Sequence, residues 1–288
     1  MEFVKYQALG NDYLVVEADA LGGAPSPELA RTLCDRHFGV GADGVLVSEG
    51  PAADGRFGLR ILNPDGSEAE KSGNGLRIHA RYLWDRGCVG DEPFEVHTAG
   101  GRVRCQVQDR GRSVRVEMGR ARFEAAEVPV AGVVGEMLCH PLEVAGQRLE
   151  LSALSLGNPH CVVLLGSVSP ELAREIGPHL ERHALFPNRT NVQLVEVRGR
   201  HAIRVEIWER GAGYTLASGS SACAAAAVCC RLGHCDSPLR VHMPGGELHV
   251  EVDAEFRLVQ TGPVVRVAQG RVGVELLAQL GRGTGSAR

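Results

Sequence analysis

The chain has 288 residues, and at roughly 150 residues per domain this predicts two domains. Hydrophobic residues make up 44% and charged residues 23%, enough apolar material for buried cores and too much for a disordered or fibrous chain. Thirty-one Lys plus Arg against 35 Asp plus Glu, with no basic block, argue against a nucleic-acid binder and for a small-molecule partner. No apolar run reaches the ~18 to 20 residues of a membrane span. Residues 1–12 lack a signal peptide's basic start and apolar stretch, so a cytoplasmic protein with no membrane attachment is expected. Nine cysteines, none in a C-x-x-C pair, predict free and mostly buried thiols rather than a disulfide framework or a metal site.

In chain order, the first helix is predicted from Ser26 to Phe38, with Leu29, Leu33 and His37 on one face. Alternation predicts strands around Leu59 to Ile61, Val103 to Val107 and Val114 to Val116. Between the first two, Leu76, Ala80 and Leu83 recur at helical spacing behind Ser72. Gly119 to Val130 loses alternation and is expected to link two halves. A helix is predicted from Pro170 to Ala184 on Leu172, Ile176 and Leu180, then strands at Ile203 to Ile207 and Leu248 to Val252. Ala222 to Val228, behind the cap residue Ser218, carries four consecutive alanines and no charge before Arg231, so this helix must be enclosed on nearly all sides. Val264 to Val274 reads as a strand returning to the first half, and 281–288 as a flexible tail.

The chain also repeats itself once. Leu9-Gly10-Asn11 recurs as Leu156-Gly157-Asn158 at an offset of 147; Ile61-Leu62-Asn63 matches Ile207-Trp208-Glu209, and Ser72-Gly73 matches Ser218-Gly219, at 146. Val96-His97 matches Val241-His242, and Gly100-Gly101 matches Gly245-Gly246, at 145. Collinear matches at half the chain length predict two homologous α/β (α+β) domains, each a curled, mostly antiparallel sheet around a central helix. The expected division is 1–120, completed by 264–280, against 121–263.

If the halves face each other, the helices behind Ser72 and Ser218 aim their N-termini at one cleft. The free N-H groups of Gly73, Asn74, Gly219 and Ser220 would then hold a carboxylate. Plain helix capping is the alternative for either motif alone. Glu209-Arg210 ends a strand ahead of Gly211-Ala212-Gly213 and suits a zwitterion, Glu209 accepting an ammonium and Arg210 forking onto a carboxylate; a surface ion pair is the alternative. Asn11, Asn63, Asn158 and Asn191 flank Gly, Pro or Thr, where turn formation is the plainer role. His160 follows Asn158-Pro159 and is either a structural histidine or a proton carrier.

Seven motifs then occur in a known family's order: Leu9-Gly10-Asn11-Asp12, Gly39-Val40-Gly41-Ala42-Asp43-Gly44, Asn63-Pro64-Asp65-Gly66-Ser67, Ser72-Gly73-Asn74-Gly75-Leu76-Arg77, Gly157-Asn158-Pro159-His160, Arg189-Thr190-Asn191 and Glu209-Arg210-Gly211-Ala212-Gly213. Over residues 1–278 the chain resembles the diaminopimelate epimerases. That resemblance implies inversion of an amino acid at Cα, LL- to meso-diaminopimelate in lysine and peptidoglycan-precursor synthesis, by a homodimer without pyridoxal phosphate, metal or other cofactor. It implies two proton-carrying residues on opposite faces of Cα, at Ser72 and Ser218, tuned by His160 and Glu209. Asn63, Asn191 and Arg210 would hold the distal carboxylate; Asn11, Asn158 and Glu209 the ammonium region; Gly73, Asn74, Gly219 and Ser220 the α-carboxylate.

The family carries cysteine at both proton-carrying positions and this chain carries serine. An alkoxide is far harder to form than a thiolate, and the sequence offers no obvious base beside either serine. Lys71 precedes Ser72, and Cys223 lies more than a turn beyond Ser218. Three explanations stay open: a double Cys-to-Ser variant, a natural serine-paired isomerase, or a homologue that binds an amino acid without turning it over. Changed neighbours at Lys71 and at Ser220-Ser221 favour a natural serine branch.

Overall fold

The computed structural model describes residues 1–52 and 55–282. The fold divides into two units, Met1–Val116 with the chain from Pro263 onward, and Glu117–Gly262.

In the first unit, β1 (Glu2–Ala8) and β2 (Asn11–Glu17) form an antiparallel hairpin. Its two turn residues, Leu9 and Gly10, both have positive φ, 58° and 87°. That left-handed pair matches the twist of the flanking strands, and glycine adopts it at the second position without steric cost. Helix α1 (Pro27–Cys34) follows, capped by Ser26, whose Oγ accepts from Leu29 N at 3.2 Å. The predicted helix is longer. Asp35 ends it early, because its Oδ1 accepts from His37 N and Phe38 N, both at 2.7 Å, and those bonds replace helical ones. His37 is therefore exposed and off the apolar face.

Strand β3 (Val45–Glu49) lies parallel to β2 and antiparallel to β4 (Phe57–Leu62), which pairs with the short β5 (Glu68–Ala69). Helix α2 (Gly73–Asp85) comes next. Strands β6 (Phe94–Thr98), β7 (Gly101–Gln108) and β8 (Ser113–Arg120) complete the run, β6 parallel to β4 and the others antiparallel in succession. Leu14, Val16, Val45, Val47 and Leu62 pack under α1 through Leu29, Ala30 and Leu33, while α2 packs on β1, β2, β3 and β7.

The second unit repeats this order. β9 (His140–Val144), β10 (Gln147–Ser155) and β11 (Pro159–Leu164) are antiparallel neighbours. α3 (Pro170–Glu181) follows, capped by Ser169, and ends three residues before the predicted Ala184. β12 (Asn191–Gly199) is parallel to β11 and antiparallel to β13 (Ala202–Glu209), which pairs with β14 (Gly213–Thr215). α4 (Gly219–Arg231) precedes β15 (Leu239–Met243), parallel to β13, then β16 (Gly246–Val252) and β17 (Arg257–Pro263), antiparallel in succession. Every residue from Ser221 to Cys229 is buried, as the charge-free run requires, and α4 touches β10, β11, β12, β13, β15 and β16.

The segment expected to link the halves instead packs into the second unit. Ala125, Val128 and Val130 join its core with Leu151, Val163 and Leu194, and Arg122 bridges to Ser155. β18 (Val265–Arg271) pairs with β1 in the first unit. Helix α5 (Val274–Arg282) follows, so Gly281 and Arg282 of the expected tail are helical, and 283–288 lie outside the described residues. The fold is the predicted one: a mixed, sheet-dominated architecture in which a duplicated curled sheet surrounds a central helix. The register confirms the repeat residue by residue, since β2 pairs β3 through Leu14 and Val45 and β11 pairs β12 through Cys161 and Val192, both shifted by 147. All nine cysteines are free, six of them buried. Among the described residues no helix is long and apolar enough to cross a membrane.

Candidate active site

The first unit gathers its predicted residues at the N-terminus of α2. Ser72 is the cap, and its Oγ accepts from Gly75 N at 3.0 Å. Asn74, 4% exposed, donates from Nδ2 to Asn11 Oδ1 at 3.0 Å and accepts from Arg77 Nη2 at 2.8 Å. Asn11 in turn donates to Asp43 Oδ2 at 3.0 Å. Both amides are thereby oriented by one chain of bonds.

Behind Asn11 stands a charge cluster. Arg36 Nη2 donates to Asp12 Oδ1 at 2.9 Å and Asp43 Oδ1 at 2.8 Å, and Lys5 Nζ sits 2.6 Å from Asp12 Oδ2. Burial alone would raise the Asp12 carboxyl, but the bonds from Arg36, Lys5 and Asp43 outweigh it and hold the group below the usual carboxylate range. Asn63 Nδ2 donates to Ser67 Oγ at 2.9 Å inside its own turn.

One neighbour of Ser72 was not legible as such in the sequence. Tyr13, 6% exposed on β2, places its hydroxyl 3.4 Å from Ser72 Oγ. The signal available was positional: at the 147 offset Tyr13 corresponds to His160.

The second unit gathers its residues at α4 and the starts of β11 and β12. His160 is fully buried, its Nε2 3.0 Å from Asn158 Oδ1 and its Nδ1 3.1 Å from Gln193 Nε2. An amide nitrogen only donates, so Nδ1 accepts and the ring proton rests on Nε2. Burial drives the imidazole pKa down to about 3, leaving the ring neutral. Gln193 also donates to Ser221 Oγ at 3.0 Å, extending the chain into the first turn of α4. Gln193 was not singled out from the sequence, because a lone glutamine within a strand reads as an ordinary polar position, and Ser221 was noted only as a changed neighbour of Ser218.

Ser218 is 5% exposed and, unlike Ser72, makes no capping bond, which leaves the first N-H groups of α4 without that acceptor. Gly219 leaves room for the buried Gln260, since a Cβ there would fall 2.3 Å from Gln260 Oε1 and force that side chain to shift. Ser220 is half-buried beside it. Asn191, 6% exposed, donates to Pro159 O and accepts from Arg210 N, both at 3.0 Å. Arg210 Nη1 donates to Asn188 O at 3.3 Å, and the rest of this exposed fork meets no protein acceptor among the described residues. Glu209 closes β13 opposite Gly213. The turn is pinned by Glu181, 2% exposed, which accepts from Trp208 Nε1 at 2.8 Å and Gly211 N at 3.1 Å.

Each unit therefore sets a serine and a glycine at a helix N-terminus, with an oriented asparagine, Asn74, beside them in the first unit, which suits polar, anionic small molecules. The fold is one shared by isomerases of amino acids. A solved hydroxyproline epimerase from Agrobacterium vitis superposes with a TM-score of 0.67 at 14% identity, covering 94% of this chain and 90% of that one. A phenazine biosynthesis protein of the PhzF family from Enterococcus faecalis gives 0.65 at 14% identity, covering 93% and 97%. Sequence relatives are much nearer. Diaminopimelate epimerase 2 of Nostoc sp. is 48% identical over 96% of this chain and 98% of its own length. The diaminopimelate epimerase of Desulfitobacterium hafniense is 41% identical over 94% and 97%. The family profile described as diaminopimelate epimerase matches residues 3–124 and 152–267. The chain belongs to the diaminopimelate epimerase family, a family of amino-acid-epimerising isomerases.

Proposed function

We propose that the protein converts LL-diaminopimelate to meso-diaminopimelate by moving protons at Cα, with Ser72 and Ser218 as the proton carriers and no cofactor. The observation that carries this reading is the duplication itself: a serine at the same cap position of α2 and α4, each followed by a glycine. Inversion requires one proton acceptor and one donor on opposite faces of a single carbon, and a duplicated helix cap supplies two equivalent groups. The part of the exposed Arg210 fork not bonded to Asn188 suits a distal carboxylate. Asn191 holds Arg210 in place, and Asn63 joins the two at that carboxylate. N-H groups at Gly73, Asn74, Gly219 and Ser220 take the α-carboxylate; Asn11, Asn158 and Glu209 take the ammonium. His160, neutral and bonded on both nitrogens, orients Asn158 rather than carrying the proton itself. The reading carries with it a cytoplasmic homodimer in lysine and peptidoglycan-precursor synthesis that binds no nucleic acid.

Proton NMR in deuterated water tests it. The Cα-H signal of LL- or meso-diaminopimelate should decay with the wild-type protein, and interconversion should stop in Ser72→Ala and in Ser218→Ala. A second reading, binding without turnover, is favoured by the alcohols at both positions. It predicts a raised melting temperature with the same ligands and no exchange.

A further inference from the structure

Strand β2 carries Tyr13 directly to the cap of α2, where its hydroxyl lies 3.4 Å from Ser72 Oγ. The ring has room only because residue 44 is glycine. A Cβ there would fall 2.4 Å from Tyr13 Cε1 and 2.8 Å from Leu62 O, an overlap with backbone that nothing could relieve cheaply. Since Ser72 Oγ already accepts from Gly75 N at 3.0 Å, its own proton is the part of the group left to donate. The 3.4 Å separation is long for two oxygens, as bonds that tighten on substrate binding commonly are.

The chemistry explains why such a neighbour matters. An alcohol ionises only near the range of water, ~15.7, whereas a phenol does so near ~10. We propose that Tyr13 is the relay partner of Ser72, a positioning residue that acts on substrate only through that serine. In the forward direction the Tyr13 phenolate takes the Ser72 proton as Ser72 takes the proton of Cα. The products are a carbanion, an intact serine and a neutral tyrosine. In reverse Ser72 protonates the carbanion and is refilled by the Tyr13 hydroxyl, which returns to phenolate. The equivalent place in the second unit is held by His160, bonded to Asn158 and Gln193, so the relay serves one half-reaction only. This inference rests on the isomerase reading above.

The test is a cycle of Tyr13→Phe, Ser72→Cys and the double variant, with initial rates followed against pH for each isomer. Wild-type kcat should climb about tenfold per pH unit between about 7 and 9, the approach to a phenol's titration. Tyr13→Phe should lose the climb and about 100-fold in kcat or more, with KM held within about twofold, in both directions of the interconversion, because one equilibrium constant ties the two rates together and Ser72 works in each. In the Ser72→Cys background, where a thiol near ~8.5 ionises unaided, the same Tyr13→Phe change should cost less than threefold. An equal loss in both backgrounds, or none in either, overturns the relay. Absence of Cα exchange in the wild type would sink the isomerase reading instead. The hydroxyl pair is then judged by ¹³Cζ NMR of Tyr13: its titration must move in Ser72→Ala, and an unmoved midpoint overturns the pairing.

Discussion

Lowering the pH from about 7 to about 5 should remove roughly 4 kcal/mol of folding stability through two histidines. His79 and His160 are both fully buried, and burial pushes both imidazoles down to about 3. His79 keeps one bond, Nε2 to Ser48 Oγ at 3.1 Å, and its Nδ1 is buried without a partner among the described residues. In the unfolded chain each titrates near ~6.5. Because the folded pKa is depressed, the stabilisation is complete above about 6.5 and is lost as pH falls toward 3, the unfolded state taking up protons that the folded state refuses. At pH ~5 each histidine forfeits about 2 kcal/mol against a few tenths at pH ~7, and the figure hardly changes for any folded value below ~4. The local slope approaches two protons, about 2.7 kcal/mol per pH unit. Urea unfolding at constant ionic strength across this range measures it, with His79→Asn and His160→Asn each expected to halve the slope. A flat profile, or a buried imidazole titrating near ~6 by NMR, would refute the argument.

Other perturbations act on single contacts. Gly219→Ala should destabilise the fold by about 1 to 3 kcal/mol in denaturant unfolding, because Gln260 must shift to admit the methyl. Glu181→Gln keeps size but weakens its hold on Trp208 and Gly211, so it should raise KM several-fold through Arg210 while leaving Tm within a few degrees. Gln193→Leu should cost about 1 to 3 kcal/mol by leaving His160 Nδ1 and Ser221 Oγ buried without their donor, and an unchanged Tm would contradict the bonding scheme.

Legibility followed the range of the interactions. The repeat was visible because equivalent elements keep their caps, periods and spacing within each half, and Ser72 and Ser218 were found as a pair for that reason alone. Helix α4 was read as enclosed because an uncharged alanine run has no stable exposed face. Helix α1 was overshot by its last four residues, where the Asp35 side chain competes for backbone N-H groups that periodicity ignores. Asn191 was flagged, but its hold on Arg210 N across 19 residues was not.

The sequence by itself determined the duplicated domain, the helix starts, the buried alanine helix and the polar residue types at the site. All of these depend on neighbours within a turn or a strand, where residue spacing is itself geometry. Only the tertiary structure decided what stands beside each serine: Tyr13 against Ser72 across 59 residues, and Gln193 joining His160 to Ser221 across 33 and 28. Such pairs are set by which strands lie side by side and by where glycine leaves room for a ring, and neither quantity is written in local periodicity.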